Sequence, residues 1–211
     1  MALSLKRDTR LLFIGDSITD CGRRQDKAGI GTGYVRDIRH WLLARDPANA
    51  PVVINQGISG NKVTDLARRW QRDVIDLKPD VLSIKIGVND VWHGTGGRND
   101  GVSIDVFVPT YRKILADLGA ALPKCRLVLC EPTVLWPPQP AEGNDLLKPY
   151  VKAVNDLAGE FHAECVVPLH GAFNRARELR PDVDWAPDGA HPSPAGHMLI
   201  ARTWLAATGL L

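Results

Sequence analysis

Five short apolar runs alternate with longer segments in which apolar residues recur at helical spacing. The runs have the length of β-strands and lie at residues 11–14, 52–54, 81–86, 126–130 and 165–167. One helical segment shows the spacing i, i+3, i+4 and i+7, with Val63, Leu66, Ala67 and Trp70. Strands that are joined through helices pair in parallel with right-handed crossovers. The pattern therefore predicts an α/β protein, a three-layer α/β/α sandwich around a five-stranded parallel sheet.

The size and charge of the chain narrow the classes of partner. Its 211 residues suit one domain with a sizeable core, which we expect to span 1–211. The net charge is +2, so nothing points to nucleic acid or to an anionic membrane surface. The N-terminus has no apolar signal segment, and no later apolar run approaches membrane-spanning length. We therefore expect a cytoplasmic protein that binds neither nucleic acid nor membrane.

A serine follows the first apolar run directly. The run ends in Gly15-Asp16-Ser17-Ile18-Thr19, which predicts a tight turn that holds a serine hydroxyl at the carboxyl edge of the sheet. Ligands bind at that edge in open α/β sheets. Asp and Ser are also common helix N-caps, so the pentapeptide alone leaves a structural role open.

Later strand-end segments supply the other groups that acyl transfer needs. Gly60 follows the second run, Asn89 follows the third, and Asp188 and His191 lie just before the last helical segment. A weakly nucleophilic serine needs a base, the base needs a carboxylate to orient it, and the developing oxyanion needs N–H donors. Ser17, His191 and Asp188 suit the first three roles. The backbone N–H groups of Ser17 and Gly60 and the side-chain amide of Asn89 suit the oxyanion hole.

Each of these segments also has a structural interpretation when taken alone. Asn89-Asp90 and Asp188-Gly189 are both common turn pairs, and His191 before a proline can simply be an exposed side chain. Their joint appearance, in order and at one predicted sheet edge, favours the catalytic interpretation.

Four segments resemble the sequence blocks of the SGNH (GDSL-type) esterase and lipase superfamily. They are residues 15–19, 58–60, 87–90 and 188–191. The resemblance implies a flavodoxin-like sandwich with a five-stranded parallel sheet. It also implies that Ser17 is the nucleophile, that Asp188 and His191 complete the triad, and that Gly60 and Asn89 are oxyanion donors.

Longer stretches around these blocks resemble the intracellular acetylxylan esterases of the superfamily. Examples are 15–23, 31–35, 88–92 and 191–198. This likeness implies removal of acetyl groups from xylo-oligosaccharides and assembly into a homo-oligomer. The loops at 94–101 and 132–143 depart from those esterases, which leaves the sugar specificity open. Asp16, Trp92 and Trp185 are candidates for contact with the substrate, although packing is an alternative role for the two tryptophans.

The chemistry predicted here requires no cofactor, and no histidine cluster has metal-ligand spacing. A GDSL lipase, a lysophospholipase, an acyl-thioester hydrolase and an acyltransferase share this chemistry, while a flavodoxin-like ligand-binding module without turnover is an alternative outside it. We favour short acyl groups, because the sequence shows no long apolar lid segment. Lys85 lies inside a strand that should be central, where an amine needs a partner, and we expect a carboxylate such as Glu131 to supply it.

Overall fold

All five strands form one parallel sheet. The computed structural model describes residues 3–95, 99–139 and 142–211. The strands are β1 (Arg10–Gly15), β2 (Val52–Gly57), β3 (Val81–Lys85), β4 (Arg126–Cys130) and β5 (Cys165–Val167), and their order across the sheet is β2-β1-β3-β4-β5. Every neighbouring pair is parallel. The predicted five-stranded parallel sheet is confirmed.

Helices cover both faces of the sheet. Those in the described residues are α1 (Ser17–Asp20), α2 (Tyr34–Arg45), α3 (Val63–Trp70), α4 (Val88–Trp92), α5 (Ile104–Ala121), α6 (Gly143–Leu146), α7 (Lys148–Glu160), α8 (Leu169–Leu179) and α9 (Pro194–Ala207). Alternate residues of each strand point to opposite faces. Leu12 and Ile14 therefore pack with α3, α5 and α7, whereas Leu11 and Phe13 pack with α2, α8 and α9. The three-layer prediction is confirmed.

The longer helices differ from the sequence pattern in two places, and the short helices α1 and α4 lie where the sequence predicted strand-end turns. The helix that begins at Val63 is α-helical only to Trp70 and continues as a π-helical turn over Gln71–Ile75. Helix α8 was not predicted, because only Leu169 and Phe173 are fully buried among its mainly polar and small residues. The loop predicted at 94–101 lies partly outside the described residues.

The order of the strands places the serine at the centre of the sheet. The chain passes from β1 to β2 on one side and then crosses to β3 on the other, so the connections after β1 and β3 leave the sheet in opposite directions. Ligands bind at such a switch point, outside the carboxyl ends of the strands. Ser17 follows β1 and Asn89 follows β3, and both therefore lie at this position.

Candidate active site

The turn after β1 is a helix N-cap, and the serine is the first residue of the helix. Asp16 has an extended backbone, and its Oδ1 accepts a hydrogen bond of 3.0 Å from the N–H of Ile18. Gly15 is required because a Cβ atom there would lie 2.2 Å from the carbonyl oxygen of Lys85 on β3. The structural and catalytic interpretations of this segment are therefore compatible, since Asp16 caps the helix and Ser17 keeps its hydroxyl free for other contacts.

Three predicted triad side chains form a continuous hydrogen-bonded chain. The distance from Ser17 Oγ to His191 Nε2 is 2.8 Å, and the distance from His191 Nδ1 to Asp188 Oδ2 is 2.6 Å. If Nδ1 donates to the carboxylate, Nε2 is left as the acceptor for the serine proton. The residues come from opposite ends of the sequence, and the fold brings them together.

A local turn fixes the carboxylate of Asp188. Its Oδ1 accepts hydrogen bonds from the backbone N–H groups of Ala190 and His191, at 2.9 and 2.7 Å. Burial by itself would raise the pKa of Asp188, but the hydrogen bonds from the His191 side chain and from these two N–H groups outweigh it and lower the pKa. Asp188 is therefore held ionised and directed at the imidazole.

The three loops that carry the predicted oxyanion donors are hydrogen-bonded to one another. The backbone N–H and the hydroxyl of Ser59 both donate to Asp20 Oδ2 at the end of α1, at 3.1 and 2.9 Å. The Asn89 side-chain amide donates to the carbonyl oxygen of Asn61 at 3.0 Å. This bond uses one of the two amide hydrogens, and the other remains for a further acceptor.

Gly60 lies between these contacts with a left-handed backbone. Its φ is +80°, a conformation that favours glycine, and the space where a Cβ would stand has no atom within 4 Å among the described residues. The open side of Gly60 therefore allows another group to approach its backbone.

Asp90 stabilises the segment that follows Gly60, and the sequence did not single it out as a functional residue. Its Oδ1 accepts a hydrogen bond of 3.0 Å from the N–H of Val63, the first residue of α3. Burial raises the pKa of Asp90 to about 7. The sequence signal for this residue was its place directly after Asn89 at the end of a central strand. Only the structure shows that it holds the start of the helix behind Gly60.

The three candidates for substrate contact differ in their surroundings. Trp92 is half-buried, and its ring meets the His191 imidazole edge to face, with centroids 5.5 Å apart. The Trp185 indole N–H donates to the carbonyl oxygen of Arg180, and Trp185 helps to line a separate cavity of about 270 Å³ beside Trp136. The Asp16 side chain is only 1% exposed. Of these three candidates, only Trp92 contacts a triad side chain in the described part of the chain.

The prediction that Glu131 is the partner of Lys85 was wrong. The nearest carboxylate is that of Asp16, with 3.8 Å between Lys85 Nζ and Asp16 Oδ2. Glu131 instead accepts hydrogen bonds from the side chain of Asn155 and the backbone N–H of His170. Strand register does not decide between the two carboxylates, since Lys85 pairs with Gly15 on one side and with Cys130 on the other, the residues before Asp16 and Glu131. The difference is that both Glu131 oxygens are engaged by these other donors, whereas Asp16 Oδ2 faces Lys85.

Comparison with known families gives the class of protein. The chain belongs to the GDSL-like lipase/acylhydrolase family, whose sequence model matches residues 13–199. It has the SGNH hydrolase fold and is a carboxylic ester hydrolase.

The individual relatives are similar over their whole lengths. The chain is 36% identical to an acetylxylan esterase of Geobacillus stearothermophilus, over 95% of this chain and 94% of the relative. A crystal structure of an acetylxylan esterase from that organism has a TM-score of 0.86 at 34% identity and covers 98% of this chain and 97% of its own. A crystal structure described as a GDSL-like lipase, from Parabacteroides merdae, has a TM-score of 0.92 at 37% identity and full coverage of both chains.

Crystal structures of catalytic mutants of the Geobacillus esterase carry replacements of a serine, an aspartate and a histidine by alanine. The aspartate and the histidine are three positions apart in that enzyme.

No helix in the described part of this chain is long and apolar enough to cross a membrane.

Proposed function

We propose that this protein is a serine esterase that hydrolyses short-chain acyl esters of carbohydrates through Ser17, His191 and Asp188. The observation that carries the proposal is the unbroken chain of contacts from the Ser17 hydroxyl to the Asp188 carboxylate, with distances of 2.8 and 2.6 Å. Those contacts match the roles of nucleophile, general base and orienting carboxylate.

The reaction follows from the positions of these atoms. Ser17 Oγ attacks the ester carbonyl while its proton passes to His191 Nε2. The imidazolium then donates that proton to the leaving alcohol, and an acyl-enzyme remains on Ser17. Water attacks the acyl-enzyme with His191 again as the base, and the imidazolium then returns the proton to Ser17 Oγ as the carboxylic acid leaves. Asp188 stabilises the imidazolium in both halves of the reaction and holds the ring in the required tautomer.

The oxyanion is stabilised by donors on three neighbouring loops. We assign this role to the backbone N–H groups of Ser17 and Gly60 and to the free amide hydrogen of Asn89. The support is that Asp20 holds the Gly60 loop against α1, while the Asn89 amide is tied to the same loop. Loss of one such donor typically costs about 3 kcal/mol of transition-state stabilisation.

The substrate class rests on the similarity to acetylxylan esterases. We propose acetylated xylo-oligosaccharides, with the Trp92 ring beside His191 as a surface against which a sugar ring can pack. A homo-oligomeric state, a single domain over 1–211 and a cytoplasmic location remain predictions. Analytical ultracentrifugation tests the first of these.

The test is hydrolysis of p-nitrophenyl acetate and butyrate, followed by acetate release from acetylated xylo-oligosaccharides. We compare the wild type with Ser17→Ala and with Ser103→Ala, which changes an exposed serine at the start of α5 whose side chain makes no capping hydrogen bond. The proposal expects loss of activity only in Ser17→Ala, with acetate preferred. Preference for butyrate over acetate would favour a lipase, and an inert wild type would favour a binding module.

A further inference from the structure

A buried lysine stands beside the residue that precedes the nucleophile. Lys85 is the last residue of β3, and its side chain is 0% exposed. Its Nζ lies 3.8 Å from Asp16 Oδ2, and neither atom has a hydrogen-bond partner among the described residues. The pair is therefore held by charge attraction within the core, without a direct hydrogen bond.

The two oxygens of Asp16 have different tasks. Oδ1 accepts the hydrogen bond from the N–H of Ile18 and thereby caps the helix that begins with Ser17. Oδ2 faces Lys85. A capping hydrogen bond needs only one acceptor oxygen, and a neutral Asn is as good a cap as Asp. The negative charge is therefore not required for the cap, although it stands one residue from the N–H that we assign to the oxyanion hole.

The charges of this pair act on neighbouring groups. Asp90, after the oxyanion candidate Asn89, has a pKa raised first by burial, and the Asp16 charge adds to that rise. His197, on α9, has a pKa lowered to about 4, first by burial and then by the positive charge of Lys85. Each member of the pair therefore exerts a field on the loops and helices around Ser17.

An uncompensated carboxylate at this position would oppose catalysis. The transition state of ester hydrolysis gathers negative charge on the carbonyl oxygen, next to the N–H of Ser17. A second negative charge in a buried environment close by repels it, because the protein interior screens charges less than water does.

We propose that Lys85 is a positioning residue for the esterase reaction. Its positive charge cancels the Asp16 charge at the oxyanion site and keeps Asp16 at the helix N-cap. The inference rests on the proposed function, since it concerns the same Ser17 reaction.

The test is a double-mutant cycle on p-nitrophenyl acetate hydrolysis, with Lys85→Met, Asp16→Asn and the double variant. Lys85→Met is expected to lower kcat about 10- to 100-fold and to leave KM within about threefold, because the unpaired Asp16 charge acts on the transition state. The double variant, which carries neither charge, is expected to recover at least tenfold over Lys85→Met. Lys113→Met, which removes an exposed lysine from its ion pair with Asp117, is the control and should not change kcat.

The outcomes separate the inference from the proposed function. A Lys85→Met variant that keeps kcat within threefold, or a double variant no more active than Lys85→Met, overturns the inference while an active wild type retains the esterase assignment. An inert wild type overturns both. Should Lys85→Met fail to fold, the double variant decides, because removing both members leaves no unpaired buried charge. Its kcat is then expected within tenfold of the wild type, and any greater loss refutes the role.

Discussion

Replacing Asp188 by Asn isolates the contribution of the carboxylate that orients His191. Asn has nearly the same shape but only one oxygen, whereas both Asp188 oxygens are in use, Oδ1 by the N–H groups of Ala190 and His191 and Oδ2 by the imidazole. If the Asn oxygen keeps the two backbone N–H groups, its NH₂ faces His191 Nδ1. The ring must then carry its proton on Nε2, where it can no longer accept the Ser17 proton.

The size of the effect can be worked from the geometry. An aspartate and an imidazolium about 4 Å apart between charge centres, at an effective dielectric constant of about 40 for a half-exposed pair, attract by about 2 kcal/mol. That corresponds to about 30-fold in rate. The wrong tautomer adds a further factor of about 10 to 100, so kcat should fall about 300- to 3,000-fold in Asp188→Asn.

The assay is steady-state hydrolysis of p-nitrophenyl acetate, with the wild type and Asp182→Asn measured in parallel. Asp182 is an exposed aspartate a few residues earlier, paired with Arg180, and its replacement should leave kcat unchanged. A loss below tenfold in Asp188→Asn would refute the argument that this carboxylate sets the tautomer and stabilises the imidazolium.

Three further predictions concern the oxyanion loop, pH and backbone packing. Asn89→Ala should lower kcat about 100- to 1,000-fold and, because it also removes the hydrogen bond to Asn61, lower the melting temperature by about 2 to 4 °C, as measured by kinetics and calorimetry. Unfolded Asp90 ionises near pH 4 while folded Asp90 holds its proton to a pKa of about 7, so wild-type stability should fall by up to about 4 kcal/mol as the pH rises through this window. In Asp90→Asn, denaturant titrations should show no such fall of the free energy of unfolding with pH. A fall as steep as that of the wild type would contradict the prediction. Gly57→Ala should prevent folding, because the Cβ would lie 2.1 Å from the backbone of α1, whereas Gly119→Ala in α5, with no atom within 4 Å, should raise the melting temperature by about 2 to 4 °C.

Much of the fold was predictable because buried parallel strands leave continuous apolar runs. The run before Gly15 and the run before Gly87 place two strand ends to within one residue from local sequence alone. Helix α8 was not predicted because its two fully buried side chains form an apolar face too short to be recognised in the sequence.

The site was predictable in its residue types but not in its supporting contacts. Asp188 and His191 are three residues apart, so their contact is local, and the Ser17 contact follows from the sheet edge that both segments share. The partner of Lys85 could not be chosen from the strand pattern, because Lys85 pairs with Gly15 on one side and with Cys130 on the other, and a carboxylate follows each of them. Only the structure shows that Glu131 is already engaged by other donors, which leaves Asp16 as the partner.

The central claim is that Ser17 is the nucleophile. The most direct measurement is intact-protein mass spectrometry after reaction with diethyl p-nitrophenyl phosphate, which transfers one diethylphosphoryl group to an activated serine, followed by peptide mapping. We expect one adduct per chain on the Ser17 peptide, loss of esterase activity in step with its formation, and no adduct in Ser17→Ala. An adduct on another residue, or inactivation with Ser17 unmodified, would contradict it.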